Sequence, residues 1–65
     1  MNEKLYMESV NVIRYKVFKD GRPLYAIAPE IGITDCTLKR FLDGKGVNIY
    51  TVIQIADYFG IEIFN

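Results

Sequence analysis

Ala26-Ile27-Ala28-Pro29-Glu30-Ile31-Gly32-Ile33-Thr34-Asp35-Cys36-Thr37-Leu38-Lys39-Arg40-Phe41-Leu42-Asp43-Gly44-Lys45 decides the fold of this chain. Two short apolar-periodic segments flank a single glycine, the pattern of a helix, a tight turn and a second helix. Gly32 falls where the first helix must stop, and glycine alone takes the left-handed conformation there without a Cβ clash. Ile33 then points back into the angle between the helices. Thr34 or Asp35 can accept the orphan backbone donors that open the second helix. Leu38, Phe41 and Leu42 recur at helical spacing on one face, which leaves Asp35, Cys36, Lys39 and Arg40 on the outer face.

This order of elements is the helix-turn-helix plan, whose second helix offers its outer residues to the DNA major groove. Within it stand an alanine in the first helix (Ala28), a glycine and an aliphatic at the turn (Gly32-Ile33), a threonine just after (Thr34), and Arg40-Phe41-Leu42-Asp43-Gly44-Lys45 at the end. Further on comes Thr51-Val52-Ile53-Gln54-Ile55-Ala56-Asp57-Tyr58-Phe59-Gly60-Ile61. In these segments, over residues 21–61, the chain resembles the lambda-repressor-like, Cro-type family of small bacterial and phage transcriptional regulators. The resemblance implies an all-α, compact four-helix-type domain with the motif at about 24–43, and the tail leaves room for a short C-terminal strand. It also implies that the base-reading places fall on Asp35, Cys36, Lys39 and Arg40, with Thr34 at the helix start. Lys45, Asn48 and Tyr50 fall where the family's loop and last helix approach phosphates. The family often has a polar phosphate-touching residue where Leu24 stands, so Arg22 would have to replace that contact.

The chemistry of the reading positions is uneven. Arg40 or Lys39 can donate to guanine O6 and N7, and Asp35 can accept from cytosine N4, whereas Cys36 offers little beyond an apolar contact with a thymine methyl. The plain reading is that Lys39 and Arg40 are ordinary exposed helix charges and Asp35 a favourable first-turn anion.

Composition narrows the classes. Sixty-five residues are expected to form one domain, 1–65, near the lower size at which a chain folds unaided. With 51% hydrophobic and 25% charged residues the balance is globular. No apolar run approaches the roughly 20 residues of a membrane span, and no signal-peptide pattern opens the chain, so a cytoplasmic protein is expected. One cysteine makes no internal disulfide, and without histidine no metal site is expected. Neither a nucleophile-base pair nor a phosphate-cradling glycine loop is present in the pattern, so neither an enzyme nor a cofactor is expected.

Eight basic and eight acidic side chains cancel, although DNA-binding domains are usually basic. Their distribution is unequal: Arg14, Lys16, Lys19 and Arg22 precede the motif, Lys39, Arg40 and Lys45 fall within or after its second helix, and from Val47 on only Asp57 and Glu62 are charged. Such asymmetry permits a local positive face on a neutral protein.

Outside the motif, Tyr6, Val10, Ile13 and Val17 form one stripe of an amphipathic helix ending near Lys19. Its start has two readings: Asn2 caps a long helix, or Ser9 caps a shorter one and residues 4–7 are extended. Arg22-Pro23 opens the second helix, with proline at the first helical position. Leu24, Ile27, Ala28 and Ile31 form its inner face. Pro29 inside that helix removes a donor and crowds the carbonyl of Tyr25, so a kink or a tighter first turn is expected. Asn48 is the expected cap of a last helix that buries Val52, Ile55, Ala56 and Phe59 and stops at Gly60.

Two function classes remain. One is a sequence-specific DNA-binding regulator, a repressor acting as a dimer on double-stranded DNA. The other is a protein-interaction module, an antirepressor or adaptor built on the same fold. The expected homodimer has two competing interfaces: the apolar tail Ile61, Ile63 and Phe64, or the far face of the first helix with Leu5, Val12 and Tyr15. A tail folded onto its own core is the third possibility.

Overall fold

The local rules just applied account for the helices of a computed structural model, which describes residues 3–62. Four helices follow in order: α1 (Glu3–Asp20), α2 (Leu24–Ile31), α3 (Asp35–Leu42) and α4 (Ile49–Phe59). α1 and α2 each pack against both α3 and α4, with α2 and α3 in the closest association. The fold is a small all-α domain, and no strand occurs among the described residues.

α1 follows the long-helix alternative, helical from Glu3 through residues 4–7, while its expected cap Asn2 lies outside the described residues. Glu3 in its first turn and Lys19 in its last both complement the helix dipole. Val10 and Ile13 are fully buried, with Tyr6 and Val17 packed at the margin of the core. Tyr6 meets the Phe41 ring edge-on, with centroids 6.2 Å apart. This ties α1 to the middle of α3.

α2 begins one residue later than the proline rule suggested. Pro23 is the cap, with ψ at 157°, and the helix starts at Leu24. Its first turn is drawn tight: the Pro23 carbonyl accepts from Ala26 N–H at 3.0 Å and from Ile27 N–H at 3.3 Å. The helix then runs through Pro29 to Ile31. The donor that Pro29 lacks falls in the last turn, where only one bond to the Tyr25 carbonyl is forfeited before the helix ends.

Gly32 ends α2 at φ 96°, and the Ala28 carbonyl accepts from both Gly32 N–H and Ile33 N–H, a six-residue closure that turns the chain into α3. A Cβ at Gly32 would lie 3.5 Å from Gln54 Nε2, an ordinary contact. Backbone conformation, not crowding, therefore requires glycine here. α3 and α4 end in the same way, on Gly44 and Gly60.

Ile27, Ala28, Leu38, Phe41 and Ile55 are fully buried, and Val52 and Ala56 nearly so, as the spacing predicts. The tail differs from one expectation. Ile61 donates its N–H to the Ala56 carbonyl at 2.9 Å and packs, half-buried, against its own chain's core. Ile61 is thus used internally by the helix ending rather than held out as an edge strand, while Ile63 and Phe64 lie outside the described residues.

Candidate functional site

α3 is fixed at both ends before its outer face can be used. At its start, Thr34 Oγ1 accepts from Thr37 N–H at 3.1 Å and donates to Thr37 Oγ1 at 2.9 Å. Of the two capping candidates Thr34 is the cap, and its hydroxyl is spent on α3 itself. At the other end Arg14 reaches across from α1: its Nε donates to the Leu42 carbonyl at 3.0 Å and Nη2 to the same oxygen, while Nη1 donates to Asn11 Oδ1. A guanidinium at the C-terminal end of α3 satisfies an orphan carbonyl and complements the helix dipole. Sequence reasoning missed this role, because the partners are 28 residues apart and nothing local marks them.

With Leu38 and Phe41 turned inward, Asp35, Cys36, Lys39 and Arg40 all stand exposed on the opposite side of α3. Lys39 Nζ donates to Asp43 Oδ2 at 2.9 Å, one helical turn on, and this ion pair holds the Asp43 carboxyl below its ordinary pKa. Both partners are well exposed, at 68% and 42%, so the pair is weak and is readily exchanged for a stronger anion. Arg40 Nη2 donates to the Gly46 carbonyl at 3.2 Å, steadying the loop that follows. Lys45 is exposed on that loop, and its N–H closes onto the Arg40 carbonyl at 2.9 Å.

Asn48 caps α4 as expected, its Oδ1 accepting from Tyr50 N–H at 2.8 Å. The amide nitrogen of Asn48 still has donors to offer, and the Tyr50 side chain is 74% exposed. Lys39, Arg40, Lys45, Asn48 and Tyr50 thus remain competent to donate outward.

Arg22 does not. Its Nε donates to Asp20 Oδ1 and its Nη1 to Glu30 Oε2, each at 2.6 Å, and Nη2 lies 3.4 Å from the Tyr58 hydroxyl. The Tyr58 hydroxyl donates to Glu30 Oε1 at 2.5 Å. These bonds push the Arg22 pKa up and hold both carboxyls down, Asp20 through Arg22, and Glu30 first through Tyr58 and then through Arg22. One cation between two carboxylates leaves this corner net negative. The guanidinium expected to touch phosphate is thus engaged by two carboxylates of its own chain, and a phosphate there would have to compete with both. Leu24 is partly buried and packs against the core.

No family model, curated protein or solved structure matches this chain.

Beside the Arg22 corner, Glu30, Ile31, Gln54, Asp57 and Tyr58 line an open hollow of about 330 Å³ between α2 and α4. Two carboxylates there disfavour a phosphate. Among the described residues no group of histidine, cysteine, aspartate and glutamate is arranged to hold a metal, and no helix is long and apolar enough to cross a membrane. The free thiol of Cys36 is exposed on α3.

Proposed function

We propose that this chain is a sequence-specific DNA-binding transcriptional regulator of the Cro-like repressor kind, working in the cytoplasm and laying the outer face of α3 into a major groove. One observation carries the reading: α3 is anchored by Leu38, Phe41, the Thr34 cap and Arg14, while its opposite face presents Asp35, Cys36, Lys39 and Arg40 to solvent. An anchored helix with an exposed polar face beside a glycine turn is the arrangement by which base edges are read. Lys45, Asn48 and Tyr50 would meet phosphates on either side, positioning the helix without reading sequence. The resemblance of residues 21–61 to the lambda-repressor-like family supports the same reading.

The second reading, a protein-interaction module, is favoured by the net-negative Arg22 corner and by the zero net charge of the chain. Fluorescence anisotropy on duplexes selected from a random pool separates the two. With Lys39, Arg40 and Lys45 as the contributing cations, log affinity is expected to fall with log salt by roughly 0.9 for each phosphate neutralised, up to about three per half-site. Absence of binding at the lowest salt would overturn the DNA reading in favour of the protein-binding one.

A further inference from the structure

The side of α1 turned away from the core carries a pattern of its own. Glu8, Val12, Tyr15 and Lys19 follow one another at steps of four, three and four residues, the spacing of a coiled-coil seam. All four are exposed, Val12 at 44% and Tyr15 at 61%. Phe18, at the edge of the same strip, is 77% exposed. An isolated apolar side chain on a surface needs no explanation, but a seam in heptad register with charges at its two ends does.

We propose that this seam pairs with α1 of a second copy of the chain, antiparallel, about a two-fold axis that passes between the two helices at the level midway from Ile13 to Arg14. Reversing the helix about that point sets Val12 against Tyr15 of the second copy and Glu8 against Lys19 of the second copy. By symmetry each pairing occurs twice. The centre of the seam is then apolar and both ends are closed by opposite charges. A parallel pairing would set Glu8 on Glu8 and Lys19 on Lys19, so the order of charges itself selects the antiparallel arrangement. In the order of its charges and apolar residues this surface is complementary to its own copy, as a two-fold interface requires.

Two further details agree with this partner. The Lys19 ammonium lies 5.9 Å from the centre of the Tyr15 ring, so these two neighbours of the seam already share one surface. Phe18 flanks the seam on the side where the second copy brings Asn11, and the pairing covers it. The contact is confined to one 18-residue helix from each copy, a small interface, so the dimer forms reversibly with concentration. The pairing is read from α1 alone and holds whether or not α3 binds DNA.

Sedimentation equilibrium of the whole chain at low salt, without DNA, tests it. The unaltered protein is expected to dimerise with rising concentration. Tyr15→Glu should abolish the dimer. Glu8→Lys and Lys19→Glu should each weaken it by about tenfold or more, since each reversal turns two attractive pairs into repulsive ones. The double reversal, Glu8→Lys with Lys19→Glu, should restore it, which an antiparallel pairing alone predicts. Circular dichroism confirms that each variant keeps its helices, as these side chains face away from the core. A protein monomeric at all concentrations, a dimer indifferent to Tyr15→Glu or to the single reversals, or a double reversal without rescue would each overturn the pairing. Since DNA is absent, these failures leave the reading of α3 untouched.

Discussion

Arg40 and Arg22 are both arginines beside a motif helix, yet they stand in opposite electrostatic states. Arg40 projects from the open face of α3 with a single 3.2 Å bond to a loop carbonyl, beside an exposed Lys39 and Lys45. Arg22 is gripped at 2.6 Å by Asp20 on one side and by Glu30 on the other, with Tyr58 bracing Glu30 from α4. A cation held by one exposed carboxylate, as Lys39 is by Asp43, is exchanged for an external anion more easily than one shared between two carboxylates, as Arg22 is. A count of basic residues is therefore a poor measure of binding capacity in so small a protein. Arg14 makes the same point, because it serves the C-terminus of α3 and not the solvent.

The contrast can be broken at several strengths. The largest effect should come from Phe41→Ala, which removes a fully buried ring from beneath the open face. It should cost roughly 3–5 kcal/mol and unfold most of a domain this small. Arg40→Ala, one residue away, should leave stability within about 0.5 kcal/mol. Thermal melts followed by circular dichroism compare the two, and equal destabilisation would show that the outer face of α3 is structural.

Next in size is binding. Lys39→Ala and Arg40→Ala should each weaken selected DNA by about 1–3 kcal/mol where a bidentate base contact is lost, and relax the preference at one base pair. Arg22→Ala should leave the affinity unchanged. If Arg22→Ala weakens binding as much as Arg40→Ala, the Arg22 network opens on DNA and the contrast between the two corners fails.

The smallest effect concerns pH. Asp20, Glu30 and Asp43 are all held below their ordinary carboxyl pKa values by their partners. A carboxyl depressed in the folded state contributes stability at pH above its unfolded value, and that contribution is lost as the pH falls through the folded value. Denaturation midpoints should therefore decline on acidification below about pH 4.5, and modestly, since these groups are exposed and screened. Glu30→Gln should flatten that decline. A midpoint that rises on acidification would contradict the Arg22 network.

What the sequence determined by itself was local. Gly32 and Gly60 mark helix ends because φ values of 96° and 69° suit glycine, and Asn48 marks a start because its side chain accepts from a donor two residues on. Leu38, Phe41, Val52 and Ile55 were legible as core from helical spacing alone, and the outward position of Lys39 and Arg40 follows from that same phase. How firmly Arg14 and Arg22 are engaged was decided by tertiary structure. Arg14 meets Leu42 and Tyr58 meets Glu30 only when α1 folds over α3 and α4 over α2, each across 28 residues of sequence. Periodicity assigns a side chain to a face, but it carries no distance to residues on other elements, and those distances set the charge each face presents. Ile61 makes the same point in the apolar part of the molecule: its alternation with Ile63 suited an edge strand, and the closure of α4 on Gly60 drew it onto the core.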